Sequence, residues 1–410
     1  MPSSPRHRAL LVGALCFLIS VCDGYDLIVF GSAVPELLRE PGWGLGPVAI
    51  GLLGSCALVG MLVGALTVGA VTDRVGRRRV IIVSLTWFSL AMAGTALAAG
   101  PISFGVCRFL AGIGLGGVIP STVALTVEYA AAGRKQFANA AMFTGYSVGG
   151  VLAALIAILV LADHGWRALF WIGTAPLVVV LPLVVAFLPE SRQILVARNR
   201  RPQHLGRLFG RDLRRATFAF AATSFCGLLL VYGLNTWLPQ IMRSAGYGLT
   251  SALSFQLALN AGAVLGCLIA SALADRFGAR PVVIASFGSA ALALLVLSAR
   301  PSAAVLTVAI AVAGLGSIGT QTLVNGYVAT YYPPAVQAAA LGVSLGVGRA
   351  GAIAGPLVGG WISAAHLGTE WNFYCFAVPA VLGAFAITVV PRLRRTDDNV
   401  PDPHPAPATV

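Results

Sequence analysis

The chain has 410 residues, of which 58% are hydrophobic and 10% charged, and its mean hydropathy is +0.87. Soluble domains carry about 25% charged residues, so this composition excludes that class and predicts an integral membrane protein. The formal charge of +13 does not indicate a nucleic-acid partner, because the basic residues fall in loops between apolar runs, as topology in a membrane requires.

In chain order, apolar runs of spanning length fall at 9–35, 47–71, 80–99, 102–127, 137–161 and 166–188. After a basic break they resume at 216–240, 250–274, 281–299, 302–328, 336–363 and 371–391. Each is near the roughly 20 residues a bilayer needs, so the predicted fold class is an all-α membrane protein of twelve helices. The first run is too long for a signal segment and has no small-residue cleavage site before Asp23, so it is expected to remain in the mature protein. Of the 27 Lys and Arg residues, 21 fall on the side of the N-terminus, four (Arg39, Arg167, Arg243, Arg300) on the other side, and Arg108 and Arg349 inside spans. Both termini are therefore expected in the cytoplasm. The seven cysteines (Cys16, Cys22, Cys56, Cys107, Cys226, Cys267, Cys375) form no CxxC or Cys/His pattern and read as small hydrophobes. Neither metal nor cofactor is expected.

Four charged groups inside spans stand out. Span 1 carries Asp23-Gly24-Tyr25-Asp26. Intramembrane carboxylates are costly and functional by default, and two of them three residues apart share a helix face. Span 4 carries Arg108 in Cys107-Arg108-Phe109-Leu110-Ala111-Gly112-Ile113-Gly114-Leu115-Gly116-Gly117, and span 11 carries Arg349 in Gly346-Val347-Gly348-Arg349-Ala350-Gly351. Arginine keeps its charge in a protein, so each needs a carboxylate or an anionic substrate nearby. Gln321 and Asn325 on span 10, with Tyr232, Asn235 and Trp237 on span 7, are candidates to line a central cavity that grips a carboxylate and stacks a planar ring. Helix-packing hydrogen bonds are the alternative role for these amides and aromatics.

The chain also repeats. Asp73-Arg74-Val75-Gly76-Arg77 follows span 2, and Asp275-Arg276-Phe277-Gly278-Ala279-Arg280 follows span 8, 202 residues later. Two similar halves of six spans are the arrangement of a secondary transporter. The expected organisation is a tail at 1–8, a first half at 9–188, a basic linker at 189–215, a second half at 216–391 and a disordered tail at 392–410. The stretch Gly64–Arg79 resembles the loop signature of the major facilitator superfamily, and the resemblance covers nearly the whole chain. It implies gating roles for Asp73, Arg74, Gly76 and Arg77, and in the degenerate copy for Asp275 and Arg276. Glu128, at the end of span 4, is either a gating partner or a surface acid neutralised by Arg74 or Arg134.

Within that superfamily, the span 1, span 4 and span 11 motifs, with Leu234-Asn235-Thr236-Trp237-Leu238-Pro239 in span 7, look like the aromatic acid:proton symporter branch. That branch implies import of benzoate, hydroxybenzoate, protocatechuate or gentisate across a bacterial cytoplasmic membrane, by a carrier expected to work as a monomer. It implies Asp23 and Asp26 as the proton-coupling acids and Arg108 and Arg349 as substrate ligands, with Asn325, Asn235 and Tyr232 as further ligands. Burial disfavours the charged form of a carboxylate, and a neighbouring carboxylate does so further, so the two acids are expected to exchange a proton as a coupled pair. Asp26, one turn deeper, is the expected carrier.

A proton-antiport exporter is the first rival, but span 5 (Gly145-Tyr146-Ser147-Val148-Gly149-Gly150) lacks the Gly-Pro typical of exporters. A sugar or other organic-acid importer is the second: Pro189-Glu190-Ser191 after span 6 is shared with sugar carriers, but a sugar needs no paired intramembrane arginines. An enzyme is not supported, since no His/Asp/Ser constellation is present.

Overall fold

A computed structural model describes residues 5–131, 135–191, 205–210, 213–299 and 301–391. Among these residues there is no strand, and eleven helices are long and apolar enough to cross a membrane. In chain order the helices are α1 (Pro5–Leu37), α2 (Pro47–Val75), α3 (Arg77–Ala96), α4 (Pro101–Tyr129), α5 (Lys135–Ile172) and α6 (Val180–Phe187). The second half has α7 (Arg214–Ser244), α8 (Leu249–Phe277), α9 (Ala279–Ser298), α10 (Ala303–Tyr331), α11 (Pro334–Ala364) and α12 (Thr369–Thr388). Helix α1 starts at Pro5 rather than 9, because hydropathy marks the span while the helix runs on into its charged flank.

The sixth span is broken. Gly165 takes φ +68 inside α5 and turns the chain, which then runs through Ile172, a short turn at Ala175–Leu177 and α6. Pro176 and Pro182 each lack a backbone N–H and so interrupt the helical ladder across this stretch.

The 202-residue repeat extends far beyond the loop motif. Both ends of α2 and α8, of α3 and α9, and of α4 and α10 are displaced by 202 residues. Close helix approaches are displaced likewise. A side chain on Gly112 would strike Ala57 O, and one on Gly314 would strike Leu259 O; Gly114 faces Ser84 O as Gly316 faces Ser286 O. Packing of helices in lipid depends on such small residues, so each half reuses one packing scheme. Gly76 and Gly278 close the two equivalent turns at φ +107 and +86, a region glycine enters without strain. Arg78 then donates to Val185 O at the end of α6 (2.6 Å), and Arg280 donates to Thr388 O at the end of α12.

The copies differ in one place: α10 contains a π-turn at Leu315–Gly319, whereas α4 is regular there.

The halves meet through α1 against α7, α2 against α11 and α5 against α8. The described hydrogen bonds between them lie from mid-span toward the face carrying the α1–α2 and α7–α8 loops, here the loop face, opposite the termini. Ser32 Oγ donates to Gln256 Oε1 (2.6 Å), Gln256 Nε2 donates to Ile28 O (3.3 Å), and Ser55 Oγ donates to Ile353 O (2.8 Å).

Candidate functional site

The charged groups inside the spans divide into a pair within the first half and a cluster between the halves. Asp26 and Arg108 are each about 1% exposed. Arg108 Nη1 donates to Asp26 Oδ1 (2.8 Å) and Nη2 donates to Asp26 O (3.2 Å). Nη1 also lies 3.7 Å from Met92 Sδ, and the guanidinium carbon is 5.8 Å from the ring centres of both Phe30 and Phe170. Removing two charges from water costs several kcal/mol per ion, and close hydrogen bonds offset that cost. Among the described residues the offset is incomplete, since Asp26 Oδ2 and Arg108 Nε have no hydrogen-bond partner. The guanidinium expected to hold substrate is thus bonded to the neighbouring helix of its own half.

The second group centres on Asp23, which is 3% exposed and whose Oδ1 has no hydrogen-bond partner among the described residues. Arg349 on α11 lies in the neighbourhood of Asp23, Tyr146 and Tyr232, and its Nη1 lies 3.7 Å from Met61 Sδ on α2. The rings of Tyr146 on α5 and Tyr232 on α7 meet edge to face, 6.4 Å apart at 76°. A cation, an acid and two phenol rings from both halves therefore converge at mid-membrane. Asp23, Asp26, Arg108 and Arg349 together carry no net charge in their usual ionised forms.

The remaining candidates lie elsewhere. Asn325 Oδ1 accepts from Gln321 Nε2 (3.3 Å), which also reaches Ser224 Oγ (3.4 Å). Asn235 is buried toward the loop face, where its Oδ1 accepts from Asn260 Nδ2 (3.0 Å) and its carbonyl accepts from Gln256 Nε2 (3.1 Å). Trp237 is fully buried and donates from Nε1 to Pro356 O (2.8 Å), so it packs α7 on α11 instead of lining a cavity. Sequence reasoning passed over Tyr146, Gln256 and Asn260. The last two are amides one turn apart inside an apolar run, a spacing that puts both on one face.

On the terminal face Glu128 is held by Arg77 (3.0 Å) and by Ser191 Oγ (2.6 Å), within the first half. Arg78 N donates to Glu190 Oε1 (3.1 Å), and Tyr129 Oη donates to Glu190 O (3.1 Å). The α2–α3 loop is thereby fastened to the ends of α4 and α6. The side chains of Asp73 and Arg74 lie outside the described residues, as do most of the linker at 189–215 and the tail from 392 onward. Asp275 and Arg276 are exposed at the end of α8, with Arg276 over the Phe277 ring (5.3 Å).

An aromatic column of Phe170, Phe104, Trp166 and Trp43 joins Arg108 to the loop face, where Glu40 accepts from Trp166 Nε1 (2.8 Å) and Arg167 Nη1 (2.6 Å). Burial raises the Glu40 carboxyl, but the hydrogen bonds from Trp166 and Arg167 and the Arg167 charge outweigh it, leaving the group below its ordinary 4.5. A folded-state value below the unfolded one stabilises the fold at neutral pH, and that contribution is lost as pH falls through the lowered value. Glu40→Gln is expected to lower stability by under about 1 kcal/mol near pH 7 and by nothing measurable well into the acid range. Thermal unfolding of the purified protein at both pH values checks this, and a pH-independent penalty contradicts it.

The family model described as Major Facilitator Superfamily matches residues 16–272 and 254–409. The chain is 38% identical to a gentisate transporter of Corynebacterium glutamicum, across 96% of this chain and 89% of that protein. It is 35% identical to a benzoate transport protein of Acinetobacter baylyi (94% and 90%) and 30% identical to a 4-hydroxybenzoate transporter of the same organism (94% and 92%). Among solved structures, a D-xylose-proton symporter superposes with TM-score 0.77 at 18% identity, covering 92% of this chain and 97% of that one.

Proposed function

The chain belongs to the Major Facilitator Superfamily and is a transporter rather than an enzyme, and on that premise we infer that it moves small aromatic carboxylates together with protons by alternating access. The observation that carries this reading is the convergence of Arg349 with Asp23, Tyr146 and Tyr232 where the halves meet. Arg349 supplies a planar donor for a carboxylate, and the two phenol rings offer edges and faces to an aromatic ring. The names of the relatives, transporters of gentisate, benzoate and 4-hydroxybenzoate, support the same substrate class.

Proton coupling follows from charge. The four intramembrane groups sum to zero, an arriving anion makes the site −1, and one proton returns it to neutrality. A neutral site lowers the cost of rocking the halves past it. Asp26 and Asp23 are the acids available to take that proton, and Asp26 bears on Arg108 directly. Protonating Asp26 weakens its bond to Arg108 and frees that guanidinium, so the α1–α4 contact reports the proton.

The Ser32–Gln256–Ile28 bonds then hold the loop face closed, and opening that face requires them to break. The Arg77–Glu128–Ser191 contacts order the terminal face. The excess of Lys and Arg on the terminal side puts both termini in the cytoplasm of a bacterium, and substrate enters from outside. Each half contributes to the one site, so a single copy of the chain suffices.

Counterflow in proteoliposomes tests the substrate class without any gradient. Labelled gentisate or benzoate is expected to exchange against an unlabelled aromatic acid inside and not against xylose. Exchange against xylose alone would overturn the assignment.

A further inference from the structure

We propose that the groove between α7 and α12 at the terminal face binds an anionic phospholipid, with Arg214 and Arg215 holding its phosphate. The groove is an open depression of about 550 Å3, lined by Arg214, Arg215, Phe218, Ala219, Phe385 and Val389, with Ala386 completing its wall. Both guanidiniums are exposed, and among the described residues neither has an ion-pair partner. Phe218 is 65% exposed on α7, which otherwise buries its large apolar side chains, and Phe385 (65% exposed) and Val389 (48%) end the outward-facing apolar row of α12.

The chemistry divides along the helix axis: two fixed positive charges at the helix end, then rings and aliphatic groups one turn further into the span. That order matches a phosphodiester headgroup followed by acyl chains. Among the described residues no acid lines the groove. Basic pockets between membrane helices bind anionic headgroups in this way. A free phosphate would use the arginines but leave Phe218, Phe385 and Val389 uncovered, so the apolar lining favours a lipid.

The groove is also braced to hold its shape. Thr217 Oγ1 donates to Leu208 O (3.1 Å) in the segment before α7, and Arg280 donates to Thr388 O beside Val389. A lipid seated there would tie the entry of α7 to the end of α12, independently of the substrate carried.

The test uses the full chain in nanodiscs of mixed phosphatidylglycerol and phosphatidylcholine, with lipid retained through detergent extraction counted by native mass spectrometry. The wild-type protein is expected to retain phosphatidylglycerol in preference to phosphatidylcholine. A basic residue near an anionic lipid contributes about fivefold, so Arg214→Gln/Arg215→Gln should weaken retention about 25-fold and each single change about fivefold. Arg79→Gln, an exposed arginine on the same face, should leave retention unchanged. If the double variant does not fold, the single variants carry the test. Retention undiminished in the variants, equal retention of the two lipids, or displacement of the lipid by inorganic phosphate would each overturn the proposal, the last by showing a site for free phosphate.

Discussion

Asp26→Asn is expected to abolish gradient-driven accumulation of aromatic acid and to destabilise the protein by about 3–5 kcal/mol, the usual result of removing one partner from a buried ion pair. The cause is Arg108, about 1% exposed, which would lose its 2.8 Å acceptor and remain charged in an apolar setting of Met92, Phe30 and Phe170. Loss of folding alone would also abolish transport, so the double variant Asp26→Asn/Arg108→Gln is the informative one. With both charges gone the desolvation penalty disappears, and much of the lost stability should return while accumulation stays absent. Thermal midpoints and uptake under an imposed pH gradient measure the two effects. Accumulation at the wild-type level in the folded double variant contradicts a coupling role for this pair. Asp23→Asn should differ in kind, because Asp23 Oδ1 has no hydrogen bond to lose; its expected effect is on substrate affinity.

Arg349→Gln is the second large effect. A hydrogen bond to a charged group contributes about 1.5–3 kcal/mol, so loss of the guanidinium should weaken binding of benzoate or gentisate by about 10- to 150-fold. Arg349 is half-buried and, among the described residues, bonded to no carboxylate, so folding should survive. Arg349→Lys keeps the charge but not the two-pronged geometry, and an intermediate affinity is expected. Equilibrium binding of labelled substrate to the purified variants decides it, and unchanged affinity in Arg349→Gln removes Arg349 from the site.

Much of this architecture is legible in the sequence because a bilayer leaves few options: every backbone group must be bonded within a helix, and each helix must be about 20 apolar residues long. The repeat was visible in one loop, and helix ends and glycine contacts in the structure carry the same 202-residue offset. The interrupted sixth span was not anticipated, although Pro176 and Pro182 mark it. The π-turn at Leu315–Gly319 has no such mark, since Gly314 and Gly316 repeat Gly112 and Gly114 of the regular α4. Neighbour relations were the main gap. Hydropathy selects Asp26 and Arg108 as costly residues but cannot say that α1 lies beside α4, so the sequence left both arginines free for substrate. The structure separates them into Arg108, bonded to Asp26, and Arg349, facing Asp23 and the two tyrosines. Asn235 and Trp237 were drawn toward the cavity for the same reason, because a helix face is readable while the partner of that face is not.

The central claim is that one proton accompanies each aromatic anion through this charge-neutral site. Proteoliposomes holding a pH-sensitive dye test it directly when benzoate, hydroxybenzoates, gentisate, protocatechuate and xylose are added outside in turn. Acidification of the lumen is predicted for the accepted aromatic acids, at about one proton per labelled anion taken up and without dependence on membrane voltage, and none for xylose. Aromatic-acid uptake without proton entry, or proton entry driven by xylose, would contradict the account.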